Sequence, residues 1–262
     1  MTDVSKLLDQ NMIGKFTYLP TLMGMAVACG DVTVINSGIP ADMFNIVCQI
    51  KSKEAIVAIV EKFRHLKIPF AWWIGFEDDY PECKSDLEKM GFFYDEHESG
   101  MFAEIEKLSR EKKCDGLQIR LVDDVKKLDD FIQIYRELIP HDADAIKMFY
   151  RKAAEHILDP KSSLKLFVGY FQDQPAATSA LFVDENTAGV WDVVTLSQFR
   201  RRGIGTDMTL QALFYALDHF GCRIGVLTAS EEGEPVYGKI GFQKLKDFYV
   251  FNVRTKQLGE MI

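Results

Sequence analysis

The residues best suited to chemistry are Gln198, Phe199, Arg200, Arg201, Arg202, Gly203, Ile204, Gly205 and Thr206. Residues 188–195 before them are short, apolar and β-branched, which predicts a buried strand. Residues 206–220 after them carry Leu210, Leu213, Phe214, Leu217 and Phe220 at helical spacing, and Gly221 is a natural helix stop. Arg200, Gly203 and Gly205 therefore fall on the turn from a strand into a helix. Glycine lets backbone approach a ligand closely and reach φ angles closed to other residues. A helix start offers unpaired N–H groups and partial positive charge. With three arginines beside it, such a turn has the parts of a pyrophosphate cradle. By itself the pattern is equally a tight corner with solvated arginines.

A second segment adds weight. Ala229 and Ser230 end an apolar run, and Gly233, Pro235, Val236, Tyr237, Ile240, Gly241 and Phe242 follow. Together the two segments resemble the GNAT superfamily of N-acetyltransferases over residues 115–255. Its acyl-CoA signature, Arg/Gln-x-x-Gly-x-Gly/Ala between the fourth strand and third helix, is matched by Arg200, Gly203 and Gly205. Its Tyr-x-x-Leu/Ile-Gly-Phe segment is matched from Tyr237 to Phe242. The order and separation of the two motifs also match.

The resemblance implies an α/β (α+β) fold class: a mixed, mostly antiparallel sheet flanked by helices. It implies acetyl-CoA as co-substrate and the primary amine of a small molecule, amino acid or peptide as acceptor. It places the oxyanion donor and the pantetheine contacts on Val193, Val194 and Thr195. The pyrophosphate falls to the N–H groups of Arg201, Arg202, Gly203, Ile204, Gly205 and Thr206; Arg200 is counted with the cofactor contacts, and pairing of its guanidinium with an acid on the helix stays open. Tyr237 is the expected general acid toward the leaving thiolate, against the plainer role of a core tyrosine. Ser230 stands where many members have a cofactor-contacting Asn. The glutamate base that some members carry on the fifth strand is absent, because that position is Gly225. Asp192 is the replacement base to expect, with Glu231, Glu232 and Glu234 as alternatives; Asp192 as a plain strand-end acid stays open. His141 and His156 lie near the acceptor region, and Trp72, Trp73 and Trp191 are either pocket or core.

Composition limits the partners. Net charge is −8 over 262 residues, which argues against nucleic acid or an anionic membrane surface. The apolar run 22–29 is far shorter than the ~18–20 residues of a membrane span. The chain start lacks the basic and apolar regions of a signal peptide. Five scattered cysteines without C-x-x-C spacing predict reduced thiols, a cytoplasmic protein and no metal. A monomer or homodimer is expected.

The elements that must position these groups read as follows. Residues 1–24 are helix and loop. Strands are predicted over 27–36, 43–51 and 69–75, with helices over 53–66 and 85–90. A hairpin is predicted from 92–94 and 101–105 around Glu98, Ser99 and Gly100. The charged stretch 107–116 is taken as a linker. It divides a 1–110 unit from a catalytic unit at 115–262. Beyond it come a strand over 117–122, a helix capped by Asp123 or Asp124, and a helix over 143–158. Strands over 164–171 and 177–183 are joined at Asp173, Gln174 and Pro175. After the cradle come a strand over 223–229, a short helix near Tyr237 and a strand pair between 242 and 253. Leu87 to Phe92 echoes Tyr237 to Phe242, so the first half is read as a second, decayed GNAT-like unit in tandem. Its junction at 49–54 has no glycine and Leu87 replaces the tyrosine, so no acetyl-CoA is expected there. The competing functional class is a non-catalytic acyl-CoA-binding protein that keeps the cradle. A nucleotide-binding module is disfavoured, since no Lys-Ser/Thr follows the glycines.

Overall fold

The computed structural model describes residues 3–77 and 79–252, with the side chains of residues 64 and 66 left aside. In chain order its elements are α1 (Val4–Leu22), β1 (Ala26–Ala28), β2 (Thr33–Asn36), β3 (Asn45–Cys48), α2 (Lys53–Leu66), β4 (Ala71–Ile74), α3 (Cys83–Lys89) and β5 (Phe93–Glu104). Then come β6 (Leu117–Leu121), α4 (Val125–Leu138), α5 (Ala143–Lys152), α6 (Ala154–Leu158), β7 (Leu164–Phe171), β8 (Gln174–Asp184) and β9 (Thr187–Thr195). The chain finishes with α7 (Ile204–Phe220), β10 (Ile224–Ala229), α8 (Glu234–Ile240) and β11 (Gln243–Asn252).

Two compact units form, and neither is one continuous stretch. The first holds the described residues up to Lys15 and Gly100–Leu245; the second holds Phe16–Ser99 and the described residues from Lys246 on. The chain crosses between them inside α1, β5 and β11. The stretch 107–116 lies wholly within the first unit, not between units. Its backbone is pinned there: Asp207 accepts from Lys113 N (2.9 and 3.2 Å) and Cys114 N (2.9 Å), and Arg110 grips Asp218. Charged composition suggested a linker because it does not reveal that the chain's own carboxylates take up those N–H groups.

In the first unit the strand order is β5-β10-β9-β8-β7-β6. All described ladders are antiparallel except β9 with β10. α4 and α7 pack against β7, β8 and β9, burying Phe131, Phe167, Leu181, Met208 and Leu213. In the second unit the order is β1-β2-β3-β4-β11-β5, and β3 and β4 are its parallel pair, connected by α2. Its core gathers Phe63, Phe70, Trp72, Phe92 and Phe251. So each unit carries a parallel strand–helix–strand step, then a short helix, a Gly-Phe pair and a strand: β3-α2-β4-α3 with Gly91 and Phe92, and β9-α7-β10-α8 with Gly241 and Phe242.

Several boundaries differ from the sequence reading. The hairpin expected around Ser99 is one unbroken strand, β5. Ser99 is 1% exposed inside a strand of the sheet, so burial overrides local turn chemistry. The strand pair expected after Phe242 is likewise one strand, β11, and residue 253 lies outside the described residues. The helix expected over 143–158 breaks at Ala153. The β7–β8 turn is Gln172 and Asp173, both left-handed (φ 51° and 59°), as a two-residue hairpin with the favoured twist requires. Gln174 and Pro175 already belong to β8.

Candidate active site

The site begins with a parting of strands. β9 and β10 pair from Thr187↔Ile224 to Gly189↔Val226, and no further pairing joins them among the described residues. Beyond Gly189, β9 stays paired to β8 on its other edge, through Ala177↔Thr195 and Thr178↔Val194. Within this stretch the β8–β9 register slips between Thr178 and Ala180, so β9 carries an extra residue. Asp192 takes up the bulge in a left-handed conformation, φ 53°. Its carbonyl accepts from Thr178 Oγ1 at 2.9 Å. The bulged segment Val193, Val194 and Thr195 therefore shows one backbone edge to the gap between the strands.

The glycine turn stands at the end of that edge. Arg201 (φ 62°) and Gly203 (φ 80°) are both left-handed, which folds the chain back into the start of α7. Gly203 also faces Lys113 so closely that a Cβ there would stand 2.7 Å from Lys113 Cβ and 3.0 Å from its carbonyl oxygen. The first intrahelical donor is Asp207 N, to Gly203 O at 3.0 Å. The N–H groups from Arg201 to Thr206 precede it and have no backbone acceptor among the described residues. A 17-residue helix behind them adds its dipole. Arg200, Arg201 and Arg202 are exposed. Arg200 Nε donates to Thr195 O at 3.0 Å, tying the turn to the end of β9, and the Arg202 guanidinium lies over Phe171. The donor array and the strand gap fit an extended thioester arm ending in a diphosphate.

Ser230 and Tyr237 frame the end of β10. Ser230 caps the next turn, its Oγ accepting from Gly233 N at 3.3 Å. The half-buried Tyr237 ring packs edge-on to Phe242, centroids 5.9 Å apart, and beside Gly233. The Tyr237 carbonyl accepts from Phe242 N (3.0 Å) and Gly241 N (3.2 Å), so the Gly-Phe turn fixes where this tyrosine sits.

Asp192 sits at a cluster that the sequence did not disclose. Its side chain is 8% exposed; Oδ1 accepts from Lys15 Nζ (3.1 Å) and Tyr135 OH (3.2 Å), and Oδ2 from Tyr150 OH (3.3 Å). Burial first, then the neighbouring carboxylate, pushes both phenols well above the ordinary tyrosine range, so they act as neutral donors. Lys15 comes from α1, which is anchored one turn earlier by Asn11. Asn11 Nδ2 donates to Phe182 O (3.1 Å) and Thr187 O (3.3 Å), and its Oδ1 accepts from Trp191 Nε1 (3.2 Å). Gly189 makes room for this amide, since a Cβ there would collide with Asn11 Oδ1. Tyr135 and Tyr150 had shown only as apolar positions of helices, and Asn11 and Lys15 as residues of a helical start.

Other candidates take different places. Glu231 and Glu232 are exposed, and Glu234 pairs with Lys244. His141 and His156 pair with their neighbours Asp142 and Glu155. Trp72 is fully buried in the second unit's core, and Trp73, of the same unit, packs on Phe16.

The matching junction in the second unit is filled by the protein itself. Asp79 Oδ1 accepts from Ile50 N just after β3 (2.7 Å), and Oδ2 from Gly75 N (2.8 Å) and Phe76 N (3.0 Å) just after β4. An internal carboxylate thus uses the N–H groups that a ligand would need between that pair of strand ends.

Residues 128–242 match the model of the Acetyltransferase (GNAT) family. That stretch is thus similar to a GNAT acetyltransferase domain. A GCN5-related N-acetyltransferase from Kribbella flavida is similar in fold, with TM-score 0.69 and 14% identity, covering 93% of this chain and 95% of that one. One from Sphaerobacter thermophilus gives 0.61 and 12%, covering 86% and 76%. A tandem GNAT protein from the clavulanic acid biosynthesis pathway gives 0.55 and 9%, covering 86% and 78%. At these identities the likeness is one of fold. No curated protein matches the chain. Among the described residues no helix is long and apolar enough to cross a membrane, and no cluster of three or more His, Cys, Asp or Glu could hold a metal ion.

Proposed function

We propose that the protein transfers an acetyl group from acetyl-CoA to the primary amine of a small molecule, amino acid or peptide, by direct attack of the amine. The observation that carries this reading is the parting of β9 from β10 after Gly189, opening onto the glycine turn at the head of α7. Acetyl-CoA supplies the acyl group as an activated thioester. The free edge of Val193, Val194 and Thr195 binds the pantetheine arm like an added strand. A backbone N–H there stabilises the charge that develops on the acyl oxygen. The N–H groups of Arg201, Arg202, Gly203, Ile204, Gly205 and Thr206 hold the diphosphate, with Arg200 steadying the turn and the Ser230 hydroxyl adding a contact. Asp192 is the acceptor-side carboxylate. Three donors fill most of its lone-pair capacity, and what is left receives the proton of the attacking amine. Tyr237 delivers a proton to the departing thiolate.

The second unit is then a decayed GNAT-like partner in tandem. Its strand gap is closed by Asp79, and Leu87 stands in the place of Tyr237. We assign it no acetyl-CoA and a cytoplasmic setting for the whole protein, as a monomer or homodimer. The test is release of CoA thiol from acetyl-CoA with a panel of amines, for wild type and Tyr237→Phe. Acceptor-dependent release that falls severalfold or more in Tyr237→Phe supports the proposal. Saturable CoA binding with no acceptor-dependent release would leave a non-catalytic acyl-CoA-binding protein.

A further inference from the structure

The Asp192 cluster carries a further step, which rests on the acetyl-transfer reading above. The carboxylate is buried, flanked by two neutral phenols that are themselves 7% and 5% exposed. Tyr135 and Tyr150 meet edge to face, centroids 5.8 Å apart, and Phe131 packs on Tyr150, so the phenol oxygens are held firmly. Such a site has one negative charge to balance, and its two fixed hydrogen bonds leave about half of the carboxylate's lone-pair capacity for cationic donors. The cation that balances it here is Lys15, a primary ammonium at the end of an unbranched aliphatic stem.

Lys15 is not the sole anchor of α1 on this face. Asn11, fully buried one turn earlier, already makes three hydrogen bonds from the same helix face to β8, the start of β9 and Trp191. The Lys15 side chain is 24% exposed against 8% for Asp192, so it is the partner of the pair that solvent reaches more. A lysine stem is flexible enough to carry its ammonium to water once another cation takes its place, unlike a buried phenol. Asp192 itself is the bulged, left-handed residue of the strand whose free edge is assigned to the acyl donor, and an ion pair meant only for stability has no need of that position.

We infer that the Asp192 carboxylate between Tyr135 and Tyr150 is the seat of the acceptor's ammonium group, that the acceptor carries this group on an unbranched aliphatic chain, and that Lys15 fills the seat until the acceptor arrives. The acceptor class is therefore a primary alkylamine, as in a lysine side chain or a polyamine end, and not an aromatic amine or an amine on a branched carbon. A tethered ammonium competes at an effective concentration of roughly millimolar. An external amine must displace it, so removing it should tighten amine binding.

The experiment uses the full-length chain without acetyl-CoA, with n-butylamine and 1,5-diaminopentane as probes and tert-butylamine as the branched control. Binding is read by thermal shift and calorimetry on wild type, Lys15→Met, Lys15→Arg, Asp192→Asn and Tyr135→Phe. The expected result is alkylamine affinity about tenfold tighter in Lys15→Met than in wild type. Affinity in Lys15→Arg should stay as weak as in wild type, and binding should be lost in Asp192→Asn and weakened severalfold in Tyr135→Phe. tert-Butylamine should bind none of them measurably. Equal alkylamine binding by Lys15→Met and wild type overturns the inference. So does undiminished binding by Asp192→Asn, which keeps the test decisive should Lys15→Met fail to fold. Coenzyme A is titrated separately. Coenzyme A binding without alkylamine binding defeats this inference alone; no coenzyme A binding defeats the acetyl-transfer reading.

Discussion

Replacing Gly203 by alanine separates a glycine required by the backbone from one that merely neighbours it. At φ 80° an L side chain is strained by about 1 kcal/mol. The new methyl would also stand 2.7 Å from Lys113 Cβ and 3.0 Å from Lys113 O, about 1 Å inside ordinary contact. Lys113 cannot withdraw freely, because its N–H and that of Cys114 are held by Asp207. Shifting that loop weakens hydrogen bonds worth about 1 kcal/mol each. The sum is about 2–4 kcal/mol, which for a domain of this size lowers Tm by about 5–15 °C. Because the strain sits at the head of α7, coenzyme A affinity should fall by about tenfold or more as the N–H groups turn away. Gly205→Ala is the control. Its nearest neighbour would be Thr195 Oγ1 at 3.6 Å, the position is helical, and alanine gains up to about 1 kcal/mol of helix propensity there. Thermal melts followed by circular dichroism, with calorimetry of coenzyme A binding, read both effects. An unchanged melt for Gly203→Ala, or equal losses for the two substitutions, would refute this account of the turn.

Three further outcomes are expected. Asn11→Ala orphans two carbonyls and the Trp191 indole N–H, so it should destabilise by about 2–4 kcal/mol in urea titration and raise amide exchange across α1; exchange unchanged in α1 would contradict the anchoring role. Asp79→Ala should lower stability by a similar amount, because three N–H groups lose their acceptor, and should leave coenzyme A stoichiometry unaltered. Burial, with Asp79 and Asp86 nearby, pushes the Cys83 thiol up to about 12, so at pH 8 it stays protonated and should react with a disulfide reagent only on unfolding. Exposed Cys29 should react at once, and peptide mapping distinguishes the two.

Legibility from sequence tracked how local the deciding interactions are. The span of α2 and the end of α7 at Gly221 follow from apolar spacing and one left-handed glycine, so both could be read directly. The start of α4 is set by Asp124, whose carboxylate accepts from Lys127 N three residues on. The glycine turn was equally legible, because its residue types state its backbone needs. β5 was not: Glu98, Ser99 and Gly100 spell a turn, and only their burial within a strand of the sheet, invisible in a local window, keeps them extended. The Asp192 cluster was half legible. The acid stood out on its strand, but Lys15, Tyr135 and Tyr150 reach it across sequence separations of 177, 57 and 42 residues, which no spacing rule covers. The same holds for Asn11, whose role depends on strands more than 170 residues away. The closing of the second unit's junction by Asp79 was foreshadowed only by what that junction lacks, its glycines.

Calorimetric titration of coenzyme A into the full-length protein tests the central claim most directly. The account predicts saturable heat with one equivalent bound per chain, since the first unit offers the glycine turn, whereas residues 49–54 of the second hold no glycine and Leu87 stands in the place of Tyr237. No heat of binding, or two equivalents per chain, would contradict it.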